Sequence, residues 1–189
     1  SAAEREQILV EWNDTKEDFP SDKCIHQLFE EQVERSPDAV AVVFEDQQLT
    51  YGELNAKANQ LAHYLRELGV KPDTLVAICV ERSLEMVIGL LGILKAGGAY
   101  VPLDPDYPKE RLAFMLQDTA ALAALTQTHV GQSLPKDSMC TIFLDTLWEH
   151  ISLLSTDNVV SCTLPPNLAY CTYSSGTTGK PNGILTTHA

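Results

Sequence analysis

Basic side chains are scarce in this chain. Lys and Arg number 13 against 26 Asp and Glu, giving a formal net charge of −13 and a pI near 4.6. A surface of that sign repels nucleic-acid phosphates and anionic lipid headgroups, so neither is expected as a partner. No Cys-x-x-Cys occurs, and the five cysteines are an odd number. Cys24, Cys79, Cys140, Cys162 and Cys171 are therefore expected to be reduced, mostly buried thiols of a cytoplasmic protein. The five histidines form no pair at metal-ligand spacing, and no metal residues are assigned. Long apolar runs are missing too. The longest, Met86 to Leu94, is stopped by Lys95, far short of the about 20 residues a membrane-spanning helix needs. No secretory leader, internal repeat or low-complexity tract is visible. The opening "SAAEREQ" lacks an initiator methionine and reads as the middle of a longer chain.

What is present is an ordinary globular composition, 44% hydrophobic and 21% charged, enough for a sizeable core. The acid is concentrated at the start: residues 1–50 hold 13 acidic and 4 basic side chains. Residues 4–12 read as a short amphipathic helix with Ile8, Leu9 and Trp12 on one stripe, followed by a polar linker. A helical period resumes through Ile25, Leu28, Phe29 and Val33. Residues 39–49 read as a hairpin turning at 45–48. Thr50-x-x-Glu53 is a capping box, and Leu54, Ala58, Leu61, Leu65 and Leu68 recur behind it at helical spacing, with Gly69 suited to the left-handed end.

Strands then alternate with helices. Leu75 to Val80 is a strand, and Ser83 caps an all-round apolar helix ending at Gly97-Gly98. In that helix Gly89 and Gly92 are placed for close approach of a neighbouring backbone. "AYVPLD", "ALAALT", "CTIFLD" and "LAYCTY" are further strands, with Pro108 opening one intervening helix and a short one expected at 147–153. This order predicts an α/β fold with mostly parallel strands. Ligands in such folds bind beyond the carboxyl ends of the strands.

The last strand runs into "YSSGTTGKPNG" at 173–183. Gly176, Gly179 and Gly183 permit unusual backbone geometry and expose amides that can surround an anion. Ser174, Ser175, Thr177 and Thr178 add hydroxyl donors, and Lys180 adds a positive charge. A polyphosphate is the natural guest. The spacing matches neither G-x-x-x-x-G-K-[ST] nor G-x-G-x-x-G. Composition alone is equally consistent with an idle surface turn.

Four stretches carry a resemblance. "LAYCTYSSGTTGKPNG" resembles the phosphate loop of adenylate-forming enzymes. "LTYGELNAKANQLAHYL" (49–65) and "LKAGGAYVPLDPDYPKERLAFMLQD" (94–118) resemble core motifs of nonribosomal peptide synthetase adenylation domains. "ILVEWNDT" (8–15) resembles the linker from an upstream condensation domain. The resemblance implies the amino-terminal part of the large subdomain of an adenylate-forming enzyme, with 1–23 as linker and 24–189 as an incomplete adenylation domain.

It also implies ATP and Mg2+ as cofactors. The expected reaction joins an amino acid to AMP, releases pyrophosphate and loads a carrier domain's phosphopantetheine thiol. Other implied partners are the upstream condensation domain, the remainder of the adenylation domain and a small MbtH-like activator protein. The loop then grips the β- and γ-phosphates through Thr177 and Thr178, with Ser174, Ser175, Gly176, Gly179 and Lys180 beside them. Asn182 stands where the family usually has lysine, so the roles of Asn182 and Gly183 stay open between phosphate contact and loop support. No catalytic residue is assigned. The 189 residues alone are expected to be inactive and, expressed alone, to aggregate or adopt a molten state. A degenerate segment serving as scaffold, or an acyl-CoA ligase, are the alternative readings.

Overall fold

The computed structural model describes residues 1–15, 17–135, 139–174 and 181–189. Ala2–Leu9 forms α1, capped by Ser1, and Glu11–Asn13 adds one turn of 3-10 helix. The single helix expected over 4–12 is interrupted there. The Asn13 side-chain amide donates to the Ile8 carbonyl at 2.6 Å, an acceptor that a continuing α-helix would offer to the Trp12 amide. The apolar stripe meets no partner among the described residues: Ile8, Leu9 and Trp12 are all at least half exposed.

Ile25–Arg35 forms α2. Val40–Phe44 (β1) and Gln47–Thr50 (β2) then pair as an antiparallel hairpin. Its turn is tighter than expected, because Gln47 and Gln48 already pair with Phe44 and Val43. Glu45 makes this possible by taking a φ of 54°. The capping box forms as its sequence dictates. The Glu53 amide donates to Thr50 Oγ1 at 3.2 Å, and the Thr50 amide to Glu53 Oε2 at 2.8 Å, opening the 17-residue α3 (Tyr51–Glu67). Gly69 follows it at φ 97°.

The remaining elements are β3 (Leu75–Cys79), α4 (Leu84–Ala96), β4 (Ala99–Pro102), α5 (Lys109–Thr119), β5 (Ala123–Thr126), β6 (Cys140–Phe143), α6 (Leu144–Ile151), β7 (Leu168–Ser174) and β8 (Asn182–Thr187). Six strands form one sheet in the order β6-β5-β3-β4-β7-β8. All neighbours are parallel except β8, which runs antiparallel to β7. The α/β architecture is the expected one. β8 lies beyond the last strand read from the sequence. Pro108 caps α5 from outside its first turn. α6 begins three residues before its expected start, since β6 ends at Phe143.

Alternation along each strand builds two cores. Val76 and Ile78 of β3, Leu125 of β5 and Ile142 of β6 face one way, against Leu61 and Leu65 of α3 and Ile88 and Ile93 of α4. Ala77 and Cys79, with Val101, Ala124 and Cys171, face the other way, against Leu112, Met115 and Leu116 of α5. Both faces of the parallel sheet are thus covered, which is why its strands read as continuous apolar runs. Among the described residues no helix is long and apolar enough to cross a membrane.

The two α4 glycines admit side chains, not a backbone. A Cβ on Gly92 would lie 2.8 Å from Leu61 Cδ2 and 2.9 Å from its Cγ, on α3. One on Gly89 would clash with the tip of Ile78, Cδ1, at 2.6 Å, and touch Leu125 Cδ1 at an ordinary 3.5 Å. Gly92→Ala is therefore expected to force α3 and α4 apart and destabilise by about 1–3 kcal/mol, despite alanine's better helix propensity. Gly89→Ala should cost less, because one flexible end can turn away. Urea midpoints of the two variants in the complete domain check the order.

Candidate functional site

The carboxyl ends of β3, β4 and β7 open into a cleft of about 800 Å³, whose walls include Val80, Arg82, Leu103, Asp104, Thr172 and Tyr173. β7 and β8 are the stems of a hairpin at its edge. Ser174 pairs with Asn182, Tyr173 with Gly183 and Thr172 with Ile184. The described chain leaves the sheet after Ser174, at the carboxyl end of β7, and resumes in it at Asn182 on the edge strand β8. Ser175, Gly176, Thr177, Thr178, Gly179 and Lys180 lie outside the described residues. Ser174, Asn182 and Gly183 are described: the first two are exposed and face each other as the closing pair.

Both stems are held by what lies beneath them. The Tyr173 hydroxyl donates to Asp118 Oδ2 of α5 at 2.7 Å and lies 3.3 Å from the Met115 carbonyl. Burial and the hydrogen bond to this carboxylate raise the phenol pKa, so Tyr173 stays a protonated donor. Its ring lies against one side of the exposed Gly183. A Cβ there would lie 3.3 Å from Tyr173 Cζ and 3.2 Å from Cys171 Sγ, so the second stem reaches its register most easily with glycine.

Thiol chemistry is not available beside the cleft. Burial, reinforced by Asp104, pushes Cys79 up to about 11. Burial, reinforced by Asp118, raises Cys171. Both stay protonated at neutral pH and cannot act as nucleophiles. Glu81, Asp104 and Asp106 give the described walls more negative than positive charge, with Arg82 the opposing cation there. Arg82 is the described cation open to an anion at this edge.

Sequence reasoning missed Arg82 and the Asp118–Tyr173 anchor, whose partners stand 55 residues apart. It also missed a cluster on the far side of the hairpin, where Cys24, His26 and His188 bring their ligand atoms within 4.8 Å of one another. Spacing of neighbouring histidines gave no sign of it, because the fold joins the start of α2 to the chain beyond β8. His26 is fully buried with Nε2 3.1 Å from Ser161 Oγ, and burial holds it neutral, with a pKa of about 4. The Ile25 amide donates to His188 Nδ1 at 3.2 Å, and the two rings meet edge to face with centroids 5.7 Å apart.

Comparison with known proteins places this geometry. The sequence model of a family described as AMP-binding enzyme matches residues 29–189. Tyrocidine synthase 3 of Brevibacillus parabrevis is 52% identical over 186 residues, spanning 98% of this chain and 3% of that protein. Among solved structures, the nonribosomal peptide synthetase FmoA3 in an AMPPNP-bound form superposes with a TM-score of 0.84 at 35% identity, over 94% of this chain and 18% of that one. The N-terminal subdomain of Klebsiella oxytoca NpsA, in complex with 3-hydroxybenzoyl-AMSN, gives a TM-score of 0.77 at 26% identity, over 92% of this chain and 43% of that one. The chain thus spans less than half the length of each of these relatives.

Proposed function

The chain belongs to the family of AMP-binding enzymes, and from that premise we propose that it supplies part of the adenylation domain of a nonribosomal peptide synthetase. The reaction proposed for the complete domain is attack of an amino acid carboxylate on the α-phosphate of ATP, giving aminoacyl-AMP and pyrophosphate. The aminoacyl group then passes to the phosphopantetheine thiol of a carrier domain. One observation carries the reading: the β7–β8 stems that flank the Ser-Gly-Thr-Thr-Gly-Lys segment in sequence, closing on Ser174 and Asn182, stand beside a cleft at the carboxyl end of a parallel sheet.

In this reading Thr177, Thr178 and the amides of Gly176 and Gly179 hold the β- and γ-phosphates, with Ser174, Ser175 and Lys180 alongside. Fixed donors aimed at the pyrophosphate stabilise the charge that gathers on it as the α–β bond breaks. The ligand names of the solved FmoA3 structures, AMPPNP and α-methyl-L-serine-AMP, are consistent with these roles. ATP with Mg2+ is the proposed cofactor pair. None of the described carboxylates is assigned to the magnesium ion, whose ligands are sought in the rest of the domain. Residues 1–23, with Ile8, Leu9, Trp12 and Phe19 exposed, are the proposed linker from an upstream condensation domain.

The test is amino-acid-dependent exchange of pyrophosphate into ATP by the complete domain. Exchange with at least one amino acid is expected. A folded domain that exchanges with none is instead a scaffold, and one that forms acyl-CoA from a carboxylic acid is a ligase of the other branch. Asn182 offers a second test. It is exposed beside Ser174 at the mouth of the loop. Asn182→Lys adds a cation there and is expected to lower the KM for ATP several-fold. An unchanged KM would assign position 182 to loop support.

A further inference from the structure

We propose that Cys24, His26 and His188 form a binding site for one zinc ion, which staples the start of α2 to the chain leaving β8. One thiolate with two imidazoles is a donor set that zinc favours. The atoms are already gathered, within 4.8 Å of one another. Zinc bonds of about 2.0–2.3 Å place ligand atoms roughly 3.3–3.8 Å apart, so the side chains must close by about 1 Å.

Two of the atoms lack any other employment. His26 Nδ1 and His188 Nε2 are buried without a hydrogen-bond partner among the described residues. A protein seldom leaves such atoms unsatisfied, and two on rings that meet edge to face beside a buried thiol call for a shared guest. The His26 ring is already oriented as a ligand's would be. Its Nε2 lies 3.1 Å from Ser161 Oγ, and the tautomer that donates there keeps the Nδ1 lone pair free to coordinate. Cys24 is fully buried at the N-cap of α2, with its Sγ 3.6 Å from the Thr163 carbonyl.

The proton balance is definite. In the metal-free chain the Ile25 amide donates to His188 Nδ1, so that ring carries its proton on Nε2. Coordination at Nε2 requires the tautomer to switch: the proton moves to Nδ1 and the Ile25 amide gives up its acceptor. The Cys24 thiol loses its proton to solvent as the zinc–sulfur bond forms. One proton is released per ion, and two hydrogen bonds, from the Ile25 amide to His188 and from the Cys24 thiol to the Thr163 carbonyl, are exchanged for three coordination bonds. The fourth zinc position is left to water.

The experiment uses the complete domain, purified without chelator or affinity metal and then given Zn2+ or Co2+. One zinc ion per chain, one proton released per ion, and a thiolate-to-cobalt charge-transfer band are expected. The band should vanish in Cys24→Ser and persist in Cys162→Ser, whose exposed thiol is the control. Chelation should lower the thermal midpoint of the wild type and leave that of His26→Gln unchanged. Wild-type protein without stoichiometric zinc or the band would overturn the site and leave an ordered water bridging the two rings. A band that survives in Cys24→Ser would overturn it equally. The wild-type spectrum decides even if a variant fails to fold, and it stands apart from pyrophosphate exchange.

Discussion

Replacing Thr177 and Thr178 together by alanine in the complete domain is expected to slow amino-acid-dependent pyrophosphate exchange by about a hundredfold or more. Removal of one preorganised donor to developing negative charge costs on the order of 10²–10³ in rate at other sites. Two adjacent hydroxyls acting on one pyrophosphate should reach at least the lower end, with less than additive effect. The described neighbourhood offers little to replace them. The cleft walls carry Glu81, Asp104 and Asp106 against Arg82, and the stems end on Ser174 and Asn182, which are uncharged. Loss of folding is the competing explanation for slower exchange. The variant's thermal midpoint, read beside its exchange rate, separates the two effects.

The second large effect falls on stability. Lys95 is the fully buried cation of the apolar helix α4, ion-paired with Glu30 of α2. Burial lowers its pKa, and the Glu30 carboxylate works against that shift. Its Nζ also donates to Asn158 Oδ1 at 3.2 Å, which accepts from Asn55 and Asn59 of α3 at 3.0 Å each. One ammonium thus ties α2, α4 and the strap around residue 158 together. Lys95→Ala strips Glu30 of its counter-charge and opens a cavity, and is expected to destabilise the domain by about 3 kcal/mol. Removing both charges should be far milder. Lys95→Met with Glu30→Gln keeps the volume, leaves no unpaired ion and should recover most of the loss. Urea unfolding of the two variants makes the comparison; equal losses would mean that packing, not the ion pair, sets the cost.

Local signals carried much of the architecture. The Thr50–Glu53 box, Gly69, the Ser83 cap and Gly97 mark helix ends because capping depends on residues within a turn of each other. Apolar runs marked the parallel strands because both sheet faces are covered. β8 escaped because it has no such run: Ile184 and Leu185 are consecutive and both exposed, and the strand exists through pairing with β7. The α1 stripe had the right period but no partner among the described residues to pack against. Lys95 read as the end of an apolar run, since its partner on α2 is 65 residues away. The same limit hid Asp118 beneath Tyr173 and the meeting of Cys24, His26 and His188. The residue types and the strand before it led the sequence reading to expect an anion loop at a strand's carboxyl end; of that loop the structure describes Ser174, Asn182 and Gly183, and strand order sets those stems beside the cleft.

The central claim is that the segment between β7 and β8 holds the terminal phosphates of ATP. Calorimetric binding of AMPPNP and of AMP to the complete domain, wild type against Thr177→Ala/Thr178→Ala, tests it most directly. Hydrogen bonds to charged groups are worth about 1.5–3 kcal/mol each. The account predicts that AMPPNP binding weakens by about tenfold or more while AMP binding is unchanged. Equal weakening of both ligands, or of neither, would contradict it.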